Sequence, residues 1–187
     1  MGDWPSLAVP PVHIHTFTRY SSVDALRNMT GSLTVAAMAW PSANRVIYCP
    51  FALPFRYQVS RLWWVNGSTA GGNWIVGIYA NDGTGRKLGT DTGAIAGSGA
   101  SVPQYAAPTG GAFFLDPGAY YWGIIMSITT ASRATGAVNA TVPRMRMAGF
   151  LQEDPGSNTL PATMTPAAIT AVGTVPYVGM TYTTTGF

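Results

Sequence analysis

The chain has 187 residues, 47% of them apolar and only 9% charged, with 22 Gly and 14 Pro. That length suits one domain with a real core, and the composition excludes both a solvated disordered chain and a helical bundle. Nine Arg and one Lys stand against six Asp and one Glu, for a net charge of +3, but the basic residues are scattered, which argues against a nucleic-acid footprint.

Residues 1–32 read as an N-terminal extended arm. Its opening, "MGDWPSLAVPP", lacks a basic region followed by an apolar one, so synthesis in the cytoplasm without a signal peptide is expected. His13 and His15 in "VHIHTF" fall on one face of an extended segment. Two ligands with no nearby carboxylate or thiol do not make a metal site, and no metal or cofactor is expected. "SSVDALRN" (21–28), capped by Ser21 or Ser22 and followed by Gly31, is the one helix candidate.

Residues 33–150 carry the grammar of an antiparallel β-sandwich. "RVIYCPF" (45–51) is a strand, and its Cys49, the sole cysteine, is expected to be a buried inert thiol. "FRYQVSRLWWV" (55–65) alternates Phe55, Tyr57, Val59, Trp63 and Val65 against Arg56, Gln58 and Ser60. The alternation puts Trp63 in the core and turns Trp64 the other way. There Trp64 lies under a loop or second sheet, makes a subunit contact, or stacks on a sugar ring. Arg61 interrupts the apolar face, and an ion pair is the expectation for it.

"NGSTAGGN" (66–73) is turn chemistry, "WIVGIYA" (74–80) the return strand, and "NDGTG" (81–85) a hairpin signal before "RKLG". "GAFFLDPGAYYWGIIMSI" (111–128) repeats strand, Asp-Pro-Gly turn and long strand, with Tyr120, Trp122, Ile124, Met126 and Ile128 on one face. "RMRMAGF" (144–150) is expected to be a strand with Met145 and Met147 opposite Arg144 and Arg146. Short strands with Gly, Pro and Asn turns predict an all-β, antiparallel sandwich of jelly-roll type.

Residues 151–187 form a Pro/Thr/Ala-rich C-terminal arm, with a last strand over 175–183 that joins its own sheet or a neighbour's. No apolar run approaches the roughly twenty residues of a membrane-spanning helix. No GxSxG elbow, phosphate loop or calcium loop can be assembled from the spacing, and a single Glu argues against a carboxylate-pair glycosidase, with an Asp pair left open; no catalytic residue and no enzymatic activity are expected. Asp82, Asp91 and Asp116 sit among turn residues and are read as turn formers. A surface this poor in charge is weakly protected from association, and Arg in place of Lys favours fixed, stacked contacts. The candidate contacts are therefore Trp64, Arg56, Arg144 and Arg146, in a homo-oligomer with a trimer as first expectation.

The string "NRVIYCPFALPFRYQVSRLWWVNGS…GNWIVGIYANDGTGRKL…LDPGAYYWGIIM" (44–126) resembles small structural proteins of tailed bacteriophages. Its points of likeness are the Pro50–Phe51 strand end, the aromatic strand running into Asn66–Gly67, the "VGIY" strand with its Asp-Gly hairpin, and "PGAYY". The resemblance covers about half the chain, and the flanking arms fall outside it. It implies a non-enzymatic virion component that binds the major capsid protein or other virion proteins. Capsid decoration, cement or head-spike roles come first, with a glycan-receptor module of a tail fibre as the alternative.

Overall fold

β-branched and aromatic runs cut by glycine-rich turns become short strands here, because such side chains pack on a pleated surface and the turns supply the reversals. The computed structural model describes residues 19–21, 35–129, 133–137, 142–170 and 176–181. Its strands are β1 (Arg19–Ser21), β2 (Val35–Ala39), β3 (Val46–Leu53), β4 (Tyr57–Val59), β5 (Arg61–Val65), β6 (Asn73–Ala80), β7 (Lys87–Leu88) and β8 (Ile95–Ala96). β9 (Pro103–Ala106), β10 (Phe113–Leu115), β11 (Gly118–Met126) and β12 (Arg133–Ala137) follow. After helix α1 (Val142–Met147) come β13 (Leu151–Glu153), β14 (Ala167–Ala168) and β15 (Val178–Thr181). The described pairings are antiparallel and the chain is all-β.

The larger sheet runs β14-β13-β3-β11-β6-β7, with β8 also on β6; a four-stranded sheet runs β1-β15-β5-β9. β4–β10 and β2–β12 are two-stranded ribbons. Side chains of both larger sheets meet in one cluster. Ile47, Cys49 and Phe51 come from β3, Val76 and Ile78 from β6, and Trp122, Ile124 and Met126 from β11. β5 and β15 contribute Leu62, Trp64, Val178 and Met180. That is the interdigitated core of an antiparallel sandwich. Tyr120, Trp122, Ile124 and Met126 share the predicted face, with Ile128 packed against it.

The central strands of the larger sheet are buried on their other face too. Val46, Tyr48, Ile75, Tyr79, Tyr121 and Ile125 form a second cluster with Leu160. Part of this layer comes from the segment 151–170, within the expected C-terminal arm (151–187). Leu160 and Ile169 anchor the segment in the two clusters. Tyr48 Oη donates to Glu153 Oε2 (2.7 Å) and Tyr79 Oη to the Pro161 carbonyl (2.8 Å), so the cover is pinned by polar groups as well. The last strand pairs within its own sheet, between β1 and β5.

Two expectations fail for local reasons. Residues 144–150 are not a strand, since Val142–Met147 is helical. Pro143 suits a first helical turn, where its missing N–H costs nothing. Gly149 takes φ 80°, its N–H donates to the Arg146 carbonyl (3.0 Å), and Phe150 N–H donates to the Met145 carbonyl (2.9 Å). That pair of bonds closes the helix as a Schellman motif, with Phe150 and Met145 both in the core.

The second failure is the alternation over 55–65. Tyr57 and Val59 face the core, but so do Leu62 and Trp64, so the chain takes one extra residue at Ser60. At that point its partner changes from β10 to β9. The expected N-terminal arm (1–32), the helix over 21–28 and His13 and His15 lie outside the described residues apart from Arg19–Ser21.

Candidate functional site

Trp64, the leading candidate for an exposed contact, is a core residue. It is 1% exposed, lies 6.2 Å from Trp74 between ring centroids, and donates from Nε1 to Asn66 Oδ1 at 3.2 Å. Asn66 in turn donates to the Ser98 carbonyl and to Gln104 Oε1, so the Asn-Gly turn is tied down from inside. Trp63 takes the opposite face of β5 and is buried as well, with its ring edge-on to Tyr177 at 5.1 Å. The strand is thus covered on both sides, and neither indole is presented to a ligand.

Exposed apolar side chains lie elsewhere. Among the described residues the exposed large hydrophobics are Phe55, Val102, Tyr105 and Phe114. Phe55 precedes β4, Phe114 is on β10 opposite Gln58 of β4, and Tyr105 is on β9 opposite Trp63 of β5. Phe113 and Leu115 pack towards the core, so the pleat sends Phe114 outwards, 55% exposed. Two adjacent phenylalanines in a strand must face opposite ways; "FF" at 113–114 was the sequence signal for this surface.

Two of these rings carry an arginine. The Arg56 guanidinium sits 4.3 Å above the Phe114 ring centroid and 3.5 Å from Asp116 Oδ1. The Arg61 guanidinium lies 5.0 Å from the Tyr105 centroid, which accounts for an arginine in an otherwise apolar strand; its contact is a ring and not the expected carboxylate. A guanidinium stacked on a ring keeps its N–H edges for other acceptors while covering apolar area with its stem. Arg56, one of the expected contacts, is exposed beside Phe114. Arg146 does not join it: on α1, its Nε donates to the Ile169 carbonyl at 2.8 Å and ties the helix to the C-terminal segment. Arg144 lies on α1, and its side chain is outside the described set.

Other charged groups hold the fold. Asp82 accepts from the Thr84 N–H and hydroxyl, which lowers its pKa and fixes the hairpin loop. Lys87 Nζ meets Asp91 Oδ2 at 2.6 Å and also donates to the Leu160 carbonyl. Burial raises the Cys49 thiol well above the usual range, which keeps it protonated and unreactive. Among the described residues no three His, Cys, Asp or Glu side chains are grouped to hold a metal. No family model, curated protein or solved structure matches the chain.

Proposed function

We propose that this protein is a non-enzymatic structural subunit of a tailed-phage virion, most simply a capsid decoration, cement or head-spike protein. It is made in the host cytoplasm and incorporated into the particle, with copies of itself and the major capsid protein as partners. The observation that supports the docking role is the exposed Phe114 ring with the Arg56 guanidinium stacked on it beside Asp116; the exposed Tyr105 ring carries Arg61 in the same way. Aromatic residues and arginine are the residues that dominate protein interfaces. The place on a virion rests on the resemblance of residues 44–126, which supply the central strands β3, β6 and β11.

The glycan-receptor alternative has less to stand on, because Trp64 is in the core and the Phe114 ring already carries a guanidinium. The test is attachment of purified protein to undecorated particles, with bound copies counted by gel densitometry. Saturation at hundreds of copies, weakened at least tenfold by Phe114→Asp, is the expected result. A handful of copies per particle would move the protein to the tail, and no attachment to any phage particle would end the virion reading.

A further inference from the structure

We infer that the Arg56–Phe114–Asp116 face is a self-complementary contact through which two copies of this chain pair about a two-fold axis. The inference rests on the reading of this face as a protein-binding surface and adds its occupant and symmetry. An isologous interface requires one patch to contain both halves of every interaction, since residue i of one copy meets j of the other and the reverse. This patch does. A cation and an anion, 65% and 82% exposed in their side chains, stand 3.5 Å apart beside a ring that is 55% exposed.

Within one copy the Arg56–Asp116 pair is solvent-washed and contributes little. Apposed to its own image, each guanidinium gains the other copy's carboxylate, and the four charges alternate in sign around a pair of Phe114 rings. The rings exclude water from the charges and strengthen their attraction. A partner of one sign fares worse: an acidic surface meets Asp116, and a basic one meets Arg56. A second copy presents both signs in matching order.

The fold places this patch at a margin. β9 is the last strand of its sheet, and β10 is paired with β4 in a two-stranded ribbon. Natural edges are guarded by charge or by proline, and Pro103 opens β9. β10, "FFL", carries no such guard along its length and is followed by Asp116. Copies meeting here cover Phe114, the most exposed of the large apolar side chains among the described residues. A two-fold contact makes a dimer, which departs from the trimer expected first.

The test uses the full chain and two charge reversals, Arg56→Asp and Asp116→Arg, with mass measured by sedimentation and multi-angle light scattering. Both positions are exposed, so each variant should keep the wild-type circular dichroism spectrum. The wild type should be a dimer. Each variant alone places like charges across the axis and should associate at least about tenfold more weakly. An equimolar mixture of the two restores opposite charges across the contact and should recover dimer mass as a mixed pair. Phe114→Ser should weaken association without being rescued by mixing.

A wild type that is monomeric or trimeric, or variants that dimerise as well as wild type, or a mixture that stays monomeric, would overturn the inference. A monomer that still decorates particles would end self-pairing and leave the docking role standing. A dimer that binds no particle would do the reverse.

Discussion

At the scale of single residues, the adjacent tryptophans of β5 decide what this strand is. Alternation predicts one indole inside and one outside, yet both are buried, Trp64 at 1% and Trp63 at 4% exposure. Truncating either removes a large buried ring that its surroundings cannot refill. Trp64→Ala and Trp63→Ala should each cost about 3–5 kcal/mol, measured as a fall in urea midpoint at unchanged slope. A loss below about 1 kcal/mol at Trp64 would return it to the surface.

Tyr48 and Tyr79 make a second residue-scale case. Burial is the largest cause raising both phenols, and the nearby carboxylates, Glu153 for Tyr48 and Asp91 with Glu153 for Tyr79, add to it. A phenol held neutral in the folded state keeps its proton after the unfolded chain has lost its own near pH 10. Stability from these two groups is therefore fully present below about pH 10 and falls as pH rises beyond it. Absorbance titration should show neither phenol ionising before the unfolding transition, whereas Tyr48→Phe should soften the alkaline loss.

At the scale of elements, β11 shows how a glycine lets the second face of a sheet fill. A Cβ on Gly123 would lie 2.5 Å from Tyr79 Cε2 and 3.2 Å from Tyr48 Cε1, so the absence of a side chain there seats both rings. These rings meet edge to face, 5.2 Å apart, under the cover formed by residues 151–170. Gly123→Ala should cost about 1–3 kcal/mol by overpacking, despite alanine's better strand propensity, and should expose the 151–170 segment to limited proteolysis. An unchanged melting temperature would mean the rings can move aside.

The same elements show what could be read in advance. β3, β6 and β11 are long, β-branched and bounded by turns, so local pattern and tertiary burial agree. The helix over 142–147 was misread because Met145 and Met147 alternate with Arg144 and Arg146 over too few residues to separate a period of two from one of 3.6. Pro143 and Gly149 were the better guides. The shift at Ser60 has no local signature, because it comes from a change of partner strand and not from β5 itself. The outward Phe114 was legible in the "FF" pair, but its arginine lid required residues 56 and 114 to be brought together by the fold.

At the scale of the whole molecule, the sandwich closes with its last strand. β15 lies between β1 and β5, so residues 178–181 join a segment near residue 20 to one near residue 63. Backbone N–H groups of Ser60, just before β5, and Val65, its last residue, donate to the Thr181 and Tyr177 carbonyls. Val178 and Met180 are fully buried and cover Leu62 and Trp64 in the shared core. A chain ending at residue 175 would lose these side chains and the middle strand of its four-stranded sheet, leaving an apolar face open to water. Such a chain should lose its cooperative urea transition and its near-ultraviolet dichroism; it should not persist as a folded core that merely attaches less well. A truncated protein that unfolds cooperatively near the full-length midpoint would show that the larger sheet stands alone and would release residues 176–181 to act on a neighbour. With that strand committed to its own core, the docking role proposed above falls to exposed side chains such as Phe114 and Arg56.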